Sequence, residues 1–129
     1  MSNNSKLIRL DADKLAGLDL DDLEPYPDEM ILSGKSLHKN HRFDEGQLIV
    51  ATYQAAPVKL ALKNYSEDEF MFLLSGKIII TDENGQPEHF YPGQGLVLKK
   101  GFCGTFEMQG NVRKIAIMNG DSYSPLGEQ

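Results

Sequence analysis

Among the residues of this sequence that could do chemistry are its carboxylates, and one of them, Glu69, stands directly ahead of the apolar run Phe70-Met71-Phe72-Leu73-Leu74. Apolar surroundings raise a carboxyl's proton affinity by desolvation and a nearby cation lowers it, so a carboxyl held in such surroundings can act as a general acid or base near neutrality. The other chemically capable groups are sparse: three histidines and one cysteine. His38 and His41 would share a face if their segment were helical. Lys39, Asn40 and Arg42 surround them with polar and positive neighbours, so the segment reads as a solvated loop. His89 falls in a short strand where either face is open to it. Cys103 has no histidine near it in sequence to activate a thiolate and reads as a buried inert thiol. Asp19-Leu20-Asp21-Asp22 lacks the alternating ligands and sixth-position glycine of a calcium loop. Gly93-Gln94-Gly95 lacks the third glycine of a dinucleotide fingerprint and precedes a strand rather than a helix. Arg113 and Lys114 can hold a carboxylate or phosphate, but strand alternation sends them to opposite faces, so at most one reaches an interior.

Positioning such groups takes a folded scaffold, and 129 residues supply one domain with a real core. At 40% hydrophobic and 25% charged the chain reads as globular. Thirteen Lys and Arg against nineteen Asp and Glu leave a net charge of −6, which opposes the counterion release that drives nucleic-acid binding. The apolar runs are far shorter than the roughly 20 residues of a membrane span. The N-terminal residues turn acidic with no apolar stretch ahead of a cleavage site, and a lone cysteine suits a reducing compartment, so a cytoplasmic location is expected.

From Gln47 onward, short apolar runs alternate with turn residues: Leu48–Tyr53, Val58–Tyr65, Phe70–Leu74, Lys77–Thr81, His89–Tyr91, Leu96–Leu98, Thr105–Met108 and Val112–Met118. Glycines at 76, 85, 93, 101 and 110 punctuate them at hairpin spacing, which predicts an all-β sandwich or barrel. Asn84-Gly85 is the strongest turn signal. Residues 6–30 interleave leucines with aspartates and end in Pro25 and Pro27. They predict an edge strand plus a helical turn capped by Asp11. Residues 33–46 are polar and read as a long connection or an irregular edge hairpin. The expected organisation is an extension over 1–35, packed on the barrel or on a partner subunit, and a barrel over 36–129.

The stretch from Glu69 to Met118 resembles the two-motif signature of cupins. Glu69-Phe70-Met71-Phe72-Leu73-Leu74-Ser75-Gly76 resembles the end of the first motif. Tyr91-Pro92-Gly93-Gln94-Gly95-Leu96-Val97-Leu98-Lys99-Lys100-Gly101-Phe102 resembles the second, with Gln94 in place of the usual Asp and Lys99 in place of the usual Pro. The ending Gly101-Phe102-Cys103-Gly104-Thr105-Phe106-Glu107 is similar to the branch that holds ureidoglycine aminohydrolase units and ethanolamine-utilisation cupins. The resemblance implies a double-stranded β-helix, or jelly-roll barrel, binding a small molecule inside. Metal-binding cupins add a His-x-His pair ahead of the Glu and a further His. Here the pair falls on Lys63 and Tyr65, or on Leu62 and Asn64 with the longer spacing, and the last position is Gly104. Glu69 alone cannot hold a transition metal, so no tightly bound metal or other cofactor is expected.

If Glu69 faces inward, Met71 and Leu73 follow it while Phe70, Phe72 and Leu74 face out. On the neighbouring strand the reading leans to Ala61, Lys63 and Tyr65 as the inward set, although Val58, Leu60 and Leu62 are the apolar parity. The alternative inward pair is Leu62 and Asn64. The candidate ligand-binding set is Lys63, Tyr65, Glu69, Met71, Phe106 and Lys114, with Glu69 the candidate catalytic group. Competing structural readings are an ion pair of Glu69 with Lys63 or Lys114, a rim Tyr65 with its hydroxyl in water, and a Phe106 that only packs. Three functions compete: a metal-free module binding an amino, ureido or carboxylate compound; a metal-independent hydrolase or isomerase; and a structural or assembly protein. A homodimer is expected under each, because residues 6–35 offer strand and leucine surface that can cover a sheet edge.

Overall fold

The computed structural model describes residues 6–120. The chain opens with one helical turn, α1 (Ala12–Leu15). Asp11 starts it as expected, accepting from the backbone N–H of Asp13 at 2.7 Å and of Lys14 at 3.4 Å. This satisfies donors that a helix start leaves without partners. After β1 (Asp21–Asp22), the Pro25-Tyr26-Pro27 stretch leads through a 3-10 turn (Asp28–Met30) into β2 (Ile31–Gly34). The remaining strands are β3 (His38–Glu45), β4 (Leu48–Ala55), β5 (Val58–Leu62), β6 (Glu69–Asp82), β7 (Pro87–Phe90), β8 (Gly95–Leu98) and β9 (Gly104–Asn119).

Hydrogen bonding orders them β1-β3-β4-β9-β5-β2, with β6 joined to β7, β8 and β9. The two longest strands each serve both walls of the fold. Residues 104–108 of β9 lie between β5 and the 78–82 half of β6, whereas 112–119 lie between β4 and the 69–75 half. The sheet therefore curls into an all-β jelly roll, as the turn spacing predicts.

Two of the expected reversals are bends instead. Gly76 and Gly110 sit within β6 and β9 at φ of +79° and +73°, and the β6–β9 register shifts on either side of Ser75. The positive φ lets each strand turn from one wall to the other without ending. A Cβ at Gly76 would stand 2.8 Å from a Val112 methyl and 3.0 Å from the Asn111 carbonyl, so the approach at this corner requires glycine. Asn84-Gly85 does make the expected tight turn, with the Gly85 N–H donating to the Asp82 carbonyl at 3.0 Å.

Three placements differ from expectation. Residues 38–45 form strand β3, in an irregular hairpin with β4 whose register shifts between Arg42 and Asp44, rather than a solvated loop; its alternate residues His38, Asn40 and Arg42 face a cavity, so the inward parity is polar and carries no hydrophobic period. On β5 the apolar parity wins: Val58, Leu60 and Leu62 are buried, while Lys63 and Asn64 are exposed in a turn after the strand. Asn64 adopts φ +52°, which breaks the alternation and turns Tyr65 back inward next to Leu62. The inward residues thus come one from each alternative pair.

On β6 the expected parity holds, with Glu69, Met71 and Leu73 buried and Phe70 39% exposed. The apolar core gathers Leu60, Leu73, Ile78, Met108 and Val112, each of which gains about 1.5–3 kcal/mol by leaving water. Outside the barrel, Arg113 donates to the Leu15 carbonyl at 2.6 Å, tying α1 to the outer face while its neighbour Lys114 points in.

Candidate functional site

Between the two walls lies a cavity of about 480 Å³. β6 brings Glu69 and Met71 to it, β9 brings Phe106 and Lys114, β4 brings Tyr53, and β5 brings Leu60 and Leu62. The Leu23–Pro27 stretch and Ser66-Glu67 also line it. Of the expected residues, Tyr65, Glu69, Met71, Phe106 and Lys114 come together here. Lys63 does not: the strand ends before it and it is exposed. His89 is exposed on β7, opposite Ile79, and is no part of the cavity. Cys103 is half-buried, its Sγ accepting from the Asn64 N–H at 3.3 Å.

Glu69 has both carboxylate oxygens engaged. Tyr65 donates its hydroxyl to Oε1 at 2.5 Å, and the Lys114 Nζ stands 3.5 Å from Oε2. The Tyr65 hydroxyl therefore does not reach into water at the rim, and Lys114 rather than Lys63 supplies the ion pair. The ammonium also lies 3.2 Å from the Met71 sulfur and about 5 Å from the rings of Tyr53 and Phe106, where ring quadrupoles favour a cation. Burial pushes the Lys114 pKa down, with the Glu69 charge opposing the shift. Burial pushes Tyr65 up, reinforced by the charge and hydrogen bond of Glu69, so its phenol stays protonated. The trio therefore joins a phenol donor, a carboxylate and a desolvated amine.

Sequence reasoning missed the neighbouring chain. Buried His38 holds the Glu24 carbonyl oxygen with Nε2 at 2.5 Å and the Tyr53 hydroxyl with Nδ1 at 2.9 Å; Tyr53 meets the Tyr26 hydroxyl at 2.8 Å. A carbonyl only accepts, so Nε2 carries the proton and, in the neutral ring, Nδ1 accepts from Tyr53. Tyr53 in turn accepts from Tyr26. The signal that could have found this was the period-2 set His38-x-Asn40-x-Arg42, a polar face of a strand.

Burial lowers the His38 pKa, the Glu24 hydrogen bond opposes this, and the Lys114 charge lowers it further. A histidine with a lowered folded pKa contributes stability that is complete above its unfolded value of about 6.5 and is lost as pH falls toward the folded value. Stability should therefore fall as the pH drops below about 6.5, with a slope of up to about 1.4 kcal/mol per pH unit. His38→Gln keeps a donor and an acceptor but no titrating ring. Urea denaturation at pH 7.5 and 5.5 should show a smaller pH difference for the variant, and equal differences would refute the assignment.

The donor set does not fit the divalent metal that many jelly rolls of this type hold. The positions that the resemblance assigns to the missing ligands carry exposed Lys63 and Tyr65, whose phenol stays protonated, or Leu62 and exposed Asn64 with the longer spacing, and side-chain-less Gly104; the cation next to Glu69 is an ammonium. Among the described residues no group of three or more His, Cys, Asp or Glu is placed to hold a metal ion.

Comparison with solved structures gives the same architecture. A protein of unknown function from Pseudomonas syringae pv. tomato superposes with a TM-score of 0.72 at 18% identity over 78% of this chain, which spans 44% of that longer protein. The Clostridium difficile EutQ protein matches with a TM-score of 0.65 at 14% identity, over 85% of this chain and 86% of its own. A putative ethanolamine utilization protein Q from Salmonella typhimurium matches at 0.57 and 12% identity, over 79% and 96%. At such identities the likeness shows the fold alone. No curated protein matches the sequence. No helix among the described residues is long and apolar enough to cross a membrane. The model of the EutQ-like cupin domain matches residues 44–116, the stretch that builds most of the barrel and Glu69, and by that match the chain belongs to the EutQ-like cupin family.

Proposed function

We propose that this chain binds a polar small molecule, an amino, ureido or carboxylate compound, inside its barrel without a resident metal. The observation that carries the reading is the Glu69–Lys114 pair, with both side chains about 8% exposed, at the wall of the cavity and flanked by the Tyr65 hydroxyl. A charge pair kept this dry contributes little net stability compared with apolar residues of the same shape, so a ligand-facing role accounts for it better than folding does. Lys114 lies beside Glu69 and offers donors to a carbonyl, carboxylate or ureido oxygen. Glu69 and Tyr65 present the matching acceptor and donor.

A second reading makes Glu69 a general acid or base in a metal-independent hydrolysis or isomerisation. It is favoured by the Tyr65–Glu69 hydrogen bond, which fixes the carboxylate in one orientation at the cavity wall. An assembly role has no such observation behind it. We also infer a cytoplasmic homodimer. Its support is the apolar outer face where Phe70 pairs with Val97, 39% and 56% exposed, in an antiparallel edge.

A thermal-shift screen of ureides, amino acids, sugars and organic acids tests the main reading. One class should raise the melting temperature, because a ligand at about a hundred times its Kd adds about 2.7 kcal/mol to the folded state. Glu69→Gln, which keeps the shape and the Tyr65 contact, should abolish that shift and any turnover while the protein stays folded. A shift of equal size in the variant, or none with any class in the native protein, rejects the reading.

A further inference from the structure

Resting on the reading of this cavity as a ligand site, we infer that the Lys114 Nζ is a carbonyl-trapping amine that forms a reversible imine with an aldehyde or keto compound admitted to the barrel. The placement of Nζ carries the inference. A lysine ammonium has three donors, and among the described residues Lys114 finds one carboxylate oxygen, at 3.5 Å, and a thioether sulfur, a weak acceptor, at 3.2 Å. Two ring faces, Tyr53 and Phe106, fill the rest of its shell without accepting a proton. A purely structural ion pair would be shorter and better satisfied. The amine stands instead at the wall of the cavity, loosely held, with a carboxylate able to take its proton and return it.

Burial that disfavours the charged form raises the neutral fraction of this lysine above that of surface lysines, which is how an amine nucleophile is activated. The steps balance without any further reactant. Proton transfer from the ammonium to Glu69 leaves a neutral amine and a carboxylic acid. Nζ adds to the carbonyl carbon as the C=O electron pair moves to oxygen, which takes the proton from Glu69. Nζ then gives one proton back to Glu69, and Glu69 delivers it to the hydroxyl as the C–O bond breaks. Water leaves, the Nζ lone pair closes the C=N bond, and the iminium N–H faces the Glu69 carboxylate. Nothing is oxidised or reduced. Tyr65 orients Glu69 through its hydrogen bond and is a positioning residue.

The test uses the full chain at pH 7.5 with propionaldehyde or pyruvate as a neutral and an anionic probe, and sodium cyanoborohydride to reduce any iminium to a stable amine. Peptide mapping of the native protein should place the first adduct on Lys114. Its rate should exceed that of exposed Lys63 by about tenfold for each unit of pKa lowering. Lys114→Arg, folded by its melting curve, should lose that adduct and keep the slow surface ones. The native map decides even if Lys114→Arg fails to fold. Adducts confined to exposed lysines overturn the inference. If compounds without a carbonyl then still stabilise the protein, the ligand-site reading survives alone; if nothing stabilises it, both fall.

Discussion

Replacing Lys114 with methionine lowers the stability of the fold by about 3–5 kcal/mol at pH 7.5, because it strips the counter-charge from a carboxylate that is only about 8% exposed. Methionine keeps the length and apolar stem of lysine, so the loss isolates charge from packing. Glu69 would retain only the Tyr65 hydroxyl, a single neutral donor. The mirror change, Glu69→Gln, costs less, about 1–2 kcal/mol, because burial already pushes Lys114 toward its neutral form and an unpaired amine can shed its proton. The asymmetry is the diagnostic. In the double variant most of the loss is recovered, because two neutral side chains of similar volume replace the pair. Urea midpoints for the four proteins at pH 7.5 read both effects. A Lys114→Met cost below about 1 kcal/mol would mean that the pair is wetter than its geometry indicates.

The part of this site that was legible in the sequence is the part built on regular strands over a packed core. Glu69, Met71 and Leu73 alternate with outward aromatics, so their parity could be read from the period of two. Arg113 and Lys114 could be divided between faces by the same rule, and contacts to the Leu15 carbonyl and to Glu69 assign each side. The rule failed where a strand ended or where a cavity replaced the core. Asn64, at positive φ with its N–H on the Cys103 sulfur, reverses the chain between Leu62 and Tyr65, so counting by twos placed Tyr65 inside correctly but put Lys63 there in place of Leu62. β3 has no apolar face at all, because His38, Asn40 and Arg42 look into the cavity. Polar residues facing a cavity and polar residues facing solvent look alike in a sequence. Tyr26 was hidden for another reason: it sits between two prolines, outside any periodic element, and reaches Tyr53 across 27 residues of chain.

Gly104 holds the position at which metal-binding barrels of this kind carry their last histidine, and restoring that histidine should fail for a reason of backbone rather than side chain. A Cβ there would stand 2.1 Å from the Thr81 carbonyl oxygen and 2.8 Å from the Phe102 ring. The obstructing carbonyl belongs to β6, which pairs with β9 at this point through Thr81↔Thr105 and Asp82↔Gly104, so it cannot rotate away as a flexible side chain would. The Gly104 φ of +159° adds a conformation that L side chains rarely adopt. Gly93 separates the two terms: it has φ +90° and open space where a Cβ would go. Gly93→Ala should therefore cost about 1–2 kcal/mol, the conformational term by itself. Gly104→Ala should cost about 3–5 kcal/mol, because strain and a forced separation of β6 from β9 add together. Gly104→His should be no more stable than Gly104→Ala and should bind no zinc or nickel by metal analysis after dialysis. That outcome would support the reading that the backbone, as well as the lost ligands, closes this chain to a metal and leaves Lys114 as the cation beside Glu69. A Gly104→His protein that melts within a few degrees of the native one and takes up an equivalent of metal would overturn that conclusion.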